Sequence, residues 1–574
     1  MMLRSITLCT IFNLFTGLIY SQTDSLPVFR NPLDIPMYLS GNFGELRSNH
    51  FHTGIDIKTQ SKTGIPVYAI ADGHVSRIKI SPYGYGKALY IVHGNGYTSV
   101  YAHLKKFTPE IDDYMERAQY RDQTFAIEQF PGPEIFPFKK GDVIGYTGNS
   151  GSSAGPHLHF ELRKTDNEHP VNPLLFNFDI KDEVKPSMYG LMVYPLNSRT
   201  RINGSDAALN LALGGTFGDY RLKKGDSIKV DGQFGIGLHT VDRLNGFPNR
   251  CGVMSIKLYA NKQLIYEADF SELDFATNRY INAHKDYAIY HRNRKSYHRC
   301  FLLPNNKLAI YKNLVNEGKL SIREGEQLSM YAEVNDAYGN QSILNFTIFG
   351  ANYDQLPKPR LIGHQLFTFD QANHFSGKEL ALTIPPLALY DNLHFEYSKS
   401  VREPGCYAKV HQLHRDEIGV HKNMTLKILP DTQVQESLKD KLVIVSLDKK
   451  GYPSAKNTSR EGNWYTTKTR NFGRYTIMAD TTAPVIKPRT ALKSRIMGNE
   501  SRIDFYVKDD LSGIDKYEAR VGGKWVLLQY NPKKNKFTYV VSTKHIKTGS
   551  QSLTIFVSDK AGNETTYKTK ILIK

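Results

Sequence analysis

Cysteine is scarce: the 574-residue chain has four. Cys9 lies inside an apolar N-terminal run. The other three, Cys251, Cys300 and Cys406, are an odd set, which excludes a complete disulfide framework. A Cys251–Cys300 bridge is one pairing left open, and the fold is expected to rest on cores instead of staples. The cysteine spacing fits no zinc finger, and no RNP signature is present, so nucleic acid is not an expected partner. Past the N-terminus, no segment is long and apolar enough to span a membrane. Extreme Gly or Pro content is also missing, which removes disorder as the default.

What is present is a basic, aromatic-rich chain. Seventy-four Lys and Arg against 56 Asp and Glu give a formal charge of +18. Such a surface attracts polyanions, an anionic cell-envelope polymer among them. Tyr (35) and Phe (29) are plentiful and, with Val, Ile and Thr, favour strands. Met1 to Arg4 is a short positive start, Ser5 to Tyr20 is largely apolar, and Ser21-Gln22 offers a small residue for cleavage. Residues 1–21 therefore read as a signal peptide and the protein as exported, periplasmic or extracellular. Cys9 sits within the apolar run and not at its end, which argues against lipid attachment.

The length exceeds what one core fills, and four mainly β regions follow the leader. Residues 24–175 show short strand-type runs separated by turns such as Ala71-Asp72-Gly73-His74 and Asn95-Gly96, suiting an antiparallel sheet. Within them, Ile111, Tyr114, Met115 and Ala118 have helical spacing, and Phe125 to Phe130 reads as an added strand. Residues 180–350 end in Asp336-Ala337-Tyr338-Gly339-Asn340, like the closing hairpin of an immunoglobulin-like sandwich. Residues 351–480 are β-rich with less distinct punctuation. Residues 481–574 carry Asp480-Thr481-Thr482-Ala483-Pro484 as an entry linker. They also hold Asp559-Lys560-Ala561-Gly562-Asn563, a second Asp…Gly-Asn ending, and read as an immunoglobulin-like module.

Three segments carry the chemistry: His52-Thr53-Gly54-Ile55-Asp56, Tyr101-Ala102-His103-Leu104 and His157-Leu158-His159-Phe160-Glu161-Leu162. In the third, strand period two places His157, His159 and Glu161 on one face and Leu158, Phe160 and Leu162 on the other. Zinc takes imidazole and carboxylate ligands, and a catalytic site needs three, with one position kept open. His52 and Asp56 with either His157 or His159 complete such a set. His50 competes with His52, but only His52 has an Asp four residues on. His93 and His74 read as residues beside turns. Glu161 is either a partner orienting an imidazole or a solvated strand residue.

Residues 40–165 resemble the lysostaphin/LytM-type zinc endopeptidases, family twenty-three of the metallopeptidases. The matching stretches include Gly44-Glu45-Leu46-Arg47, His52-Thr53-Gly54-Ile55-Asp56, Gly64-Ile65-Pro66-Val67, Tyr101-Ala102-His103-Leu104, Lys140-Gly141-Asp142-Val143-Ile144-Gly145 and Gly155-Pro156-His157-Leu158-His159. The resemblance implies one zinc ion held by His52, Asp56 and His159, with His157 and His103 as catalytic histidines. It also implies hydrolysis of peptide bonds in bacterial peptidoglycan stems or cross-links. The alternative is a non-catalytic envelope scaffold or activator of another wall hydrolase; its mark would be a missing ligand, and all five positions are filled. The later domains are expected to contact envelope polymer or envelope proteins. Residues 105–138 are longer than the family's usual connection and could wall the groove.

Overall fold

A computed structural model describes residues 26–353, 365–490, 492 and 496–574. The leader read at residues 1–21 lies outside them. Strands dominate, and the three α-helices among the described residues span 14, 4 and 7 residues. None is long and apolar enough to cross a membrane.

The first body is an antiparallel sheet. Its central order is Leu39–Gly41, Ile55–Lys58, His157–Lys164, Tyr97–Ala102, Lys87–His93, Gly73–Ile80 and Ile127–Gln129. Alternation in His157–Lys164 sends Leu158, Phe160 and Leu162 into a core with Ile55, Ile57 and Tyr101. Its other face carries His157, His159 and Glu161. A smaller sheet of Pro66–Tyr68, Val143–Tyr146 and Lys106–Phe107 lies alongside. The helical spacing near residue 111 becomes helix Pro109–Asp122, which starts on Pro109 at its first turn and buries Ile111, Met115 and Ala118. It ends where Gln123 turns left-handed (φ 47°), a geometry that closes helices.

A second body follows, a twelve-stranded sheet folded around its own core and ending in the paired strands Gln327–Asn335 and Gln341–Gly350. Two five-stranded sheets enclose a third core made between Phe367 and Ile477. A four- and a five-stranded sheet form the last sandwich, from Val485 to Ile573. Cys251, Cys300 and Cys406 are all free and buried. The Cys251–Cys300 bridge is not formed, because Cys251 packs in the first body's core and Cys300 in the second's.

The bodies grip one another. Phe43 and Phe51 of the first body belong to the core of the second. Phe51 lies beside Phe270 and His284, with ring centroids 5.6 and 5.9 Å away, and its amide donates to Asn278 Oδ1 at 2.6 Å. Lys285, fully buried, donates to the carbonyls of Arg47 and Ser48. Arg279 of the second body bonds carbonyls of Val420 and His421 in the third. Lys441 of the third reaches the Ala561 carbonyl in the fourth. The fourth returns to the first: Lys533 Nζ donates to Asn149 O, Asn149 Oδ1 and Ser153 O at 2.6, 2.9 and 2.6 Å. There His545 also stacks on Tyr120 at 3.6 Å.

Phe51→Ala removes a fully buried ring shared by two cores. It is expected to cost ~3–5 kcal/mol, read as a lowered denaturation midpoint of the first transition.

Candidate active site

Three neighbouring strands build the site. Cα pairing sets His159 opposite Asp56 on one side and opposite Ala102 on the other, and His103 follows Ala102 directly. His52 precedes the Ile55–Lys58 strand, and its backbone is fixed by bonds to Glu45 and Gly44. Gly54 allows the approach: a Cβ there would meet Phe160 O at 2.3 Å, so no other residue fits between the two strands.

The side chains then converge. His52 Nε2 lies 3.1 Å from His159 Nδ1 and 3.2 Å from Asp56 Oδ1, and His159 Nδ1 lies 2.9 Å from that same oxygen. A carbonyl or carboxylate partner only accepts, so partners assign the tautomers. His52 Nδ1 donates to Asn42 O at 2.7 Å, which turns its Nε2 inward. His159 Nε2 donates to Glu161 Oε1 at 2.8 Å, which turns Nδ1 inward. One donor atom from each of His52, Asp56 and His159 lies within 4.8 Å of the other two, a set that could hold a metal ion. Two imidazoles and a carboxylate are the donor chemistry zinc takes.

A second layer holds this set. Glu161 is fully buried. Its Oε2 accepts from Arg163 Nε and Nη2 at 2.8 and 2.6 Å, and its Oε1 accepts from the hydroxyls of Thr53 (2.7 Å) and Tyr85. Burial pushes the Glu161 carboxyl up, but Arg163 and the His159 bond overcome it and hold it well below the usual range. Asp56 is likewise driven down, burial being outweighed by His52, His157 and His159. Arg47 reaches its second oxygen at 3.3 Å. For His159, burial disfavours the charge, yet hydrogen bonds to Asp56 and Glu161 raise it to about 9. An imidazole between two carboxylates draws a cation, whether a proton or a metal.

His103 and His157 stand over this set. Their rings are 4.8 Å apart, and His103 is 5.9 Å from the His159 ring. His103 Nδ1 donates to Ser150 O at 3.0 Å and His157 Nδ1 to Gly155 O at 2.9 Å, leaving the Nε2 of His103 free to accept. His157 Nε2 is 3.4 Å from Asp56 Oδ1. Burial, then the charges of His159 and His157, lower His103 to about 3, so it is neutral at pH 7. His103 adopts φ +60°, a left-handed backbone that costs energy in a non-glycine residue and recurs at functional sites. All five lie on a cleft of about 1110 Å³, with Arg47, Tyr85 and Ser153 in its wall.

Other histidines fall elsewhere. His50 lines the same cleft but is not part of the three-residue set. His93 is tied to Asp72 O and Ser99 Oγ, and His74 stands on the Gly73–Ile80 strand. Glu161 proves to be the orienting partner of His159. Asn42, Tyr85 and Arg163 were not anticipated. Arg163 was readable as the next residue on the His-bearing face; Asn42 and Tyr85 are set by tertiary contacts that leave no local pattern.

Residues 50–120 and 137–173 match the model of peptidase family M23. The first body is a peptidase M23 domain. Residues 364–480 match the Zu5-like domain, which gives the third body a likeness its sequence punctuation did not. The chain is similar to the DD-carboxypeptidase/endopeptidase Mpg of Neisseria meningitidis serogroup B, at 37% identity over 22% of this chain and 23% of that protein. It is similar to the peptidoglycan DD-endopeptidase ShyA of Vibrio cholerae, at 30% identity over 27% and 31%. Lysostaphin of Staphylococcus simulans is 29% identical over 22% of this chain and 21% of that protein. The matched stretch therefore spans about a quarter of these relatives' length. Among solved structures, the catalytic domain of the prophage-encoded M23 protein EnpA from Enterococcus faecalis is 27% identical. It covers 24% of this chain and 89% of that chain, with a TM-score of 0.18.

The metal-free M23 domain makes a pH prediction. His159 is raised from 6.5 to about 9, so its contribution to stability is complete below pH 6.5 and is lost as pH rises through 9. Histidine NMR of the metal-free protein is expected to show one ring titrating near pH 9, and Glu161→Gln is expected to move that midpoint down.

Proposed function

We propose that the M23 domain is a zinc-dependent endopeptidase that hydrolyses peptide bonds in the stems or cross-links of bacterial peptidoglycan. The observation that carries this reading is the convergence of His52 Nε2, Asp56 Oδ1 and His159 Nδ1 beneath two further histidines on an open cleft. In it, His52, Asp56 and His159 hold one zinc ion. When bound, that ion supplies Lewis acidity toward water and toward the scissile carbonyl.

The chain's residues do the rest. Asn42 and Glu161 orient the two imidazoles, as partners of metal-binding histidines do elsewhere. His103, whose Nε2 is uncommitted, and His157, whose Nε2 faces Asp56, share the proton work: one takes the proton of the attacking water, and the leaving amine receives one in turn. His103, held neutral, is ready to accept. The sugar-peptide polymer as substrate is supported by the relatives' printed activities, and an exported, envelope-associated location follows from that substrate. A scaffold that only binds has no use for five filled positions.

Purified protein is expected to hold about one zinc per chain and to release peptides from isolated sacculi. His159→Ala is expected to lose both metal and activity, whereas His103→Ala keeps the metal and loses ~10²–10⁴-fold in rate. Metal analysis beside mass spectrometry of the released fragments reads both. Hydrolysis surviving in His159→Ala would overturn the mechanism.

A further inference from the structure

Two clusters of aspartates recur at matching places in two different bodies. One joins Asp182, Asp242 and Asp336; the other joins Asp480, Asp509 and Asp559. In each, one aspartate comes from the linker entering the body, ahead of Pro186 or Pro484. One follows or closes a strand: Asp242 after Ile228–Val241, Asp509 after Arg502–Lys508. One opens an Asp-x-x-Gly-Asn turn. Within each cluster, one carboxylate oxygen per residue lies within 4.8 Å of the other two.

The turns are built alike. Asp336 accepts from Asn340 N and Nδ2 at 2.9 and 2.7 Å, and Asp559 from Asn563 N and Nδ2 at 2.8 and 2.7 Å. The same asparagine amide reaches back to the linker, to Asp182 O at 3.1 Å and to Asp480 O at 2.9 Å.

An independent observation points to a ligand. Asp182 Oδ2 and Asp242 Oδ1 are buried with no hydrogen-bond partner, on residues only 8% and 2% exposed. The Asp182 carboxyl meets that of Asp336. Arg243, beside Asp242 in sequence, spends its guanidinium on the Tyr189 hydroxyl. In the second cluster Asp509 Oδ1 and the Ser512 hydroxyl are also buried without partners. Buried unpaired carboxylates are costly. Burial and the neighbouring carboxylates raise Asp182 to about 7 and Asp242 to about 9, so without a counter-cation these groups keep protons.

We propose that the chain binds two calcium ions, one among Asp182, Asp242 and Asp336 and one among Asp480, Asp509 and Asp559. The donors are all oxygen, three carboxylates in each, which selects a hard divalent cation over zinc. The irregular mixture of linker, strand-end and turn oxygens suits the loose shell of calcium better than the strict octahedron of magnesium. Each ion ties a linker to the body it enters, so the two sites sit at the entries to the second and fourth bodies.

The test uses the full chain, chelator-stripped and reloaded with zinc, dialysed against radioactive calcium chloride at about 1 mM, the affinity range of extracellular calcium modules. Two calcium ions per chain are expected, with a thermal midpoint that rises with calcium and not with equal magnesium. Asp242→Asn and Asp559→Asn are each expected to lose one ion, and the double variant both, while His159→Ala keeps both. That last arm separates this proposal from the zinc reading. Wild-type protein that binds no calcium, or a count unchanged in the double variant, would overturn it. Should one variant fail to fold, the wild-type count and the other variant decide.

Discussion

Glu161 has no contact with water, and the cleft depends on its staying charged. Taking a carboxylate out of water is expensive unless its lone pairs are met. Here Arg163 meets one oxygen twice, while Thr53, Tyr85 and His159 meet the other. That charge fixes the His159 tautomer and turns Nδ1 toward Asp56. Removing any one of these partners leaves a buried charge short of a donor, and so disturbs an imidazole that the partner never touches.

His52 is governed from farther away. Its Nδ1 bonds Asn42 O, and the Asn42 side chain is clasped on both sides by Gly252, through 2.9 and 2.6 Å bonds from the second body. Phe51, its neighbour in sequence, is held by Asn278 of that body. The second body is thus part of the support of the M23 cleft and more than an appendage to it.

Much of this was legible in the sequence. The period-two alternation of His157 to Leu162 shows which residues share a face, because a strand has only two faces. The helix at Ile111 to Ala118 follows from spacing. The β-rich character of every region followed from composition and turn punctuation. The rest was hidden for physical reasons. Asn42–Gly252 and Lys533–Asn149 are contacts between residues 210 and 384 positions apart, and nothing local marks either end. The two Asp-x-x-Gly-Asn turns were visible as repeated punctuation. That each meets two more carboxylates needed the fold, since Asp242 follows a long strand with no turn signature of its own.

The Lys533 clamp has a consequence in time. Ser153 and Asn149 belong to the loop that carries the chain toward His157, and the lysine that fastens their carbonyls is encoded 380 and 384 residues later. During synthesis the M23 sheet can form early, but the loop beside its histidines gains this fastening only once the last sandwich has been made and has swung back. The order in which the chain emerges thereby becomes the order in which its cleft is finished, and a truncated product would present the five residues with one rim of that cleft unfastened.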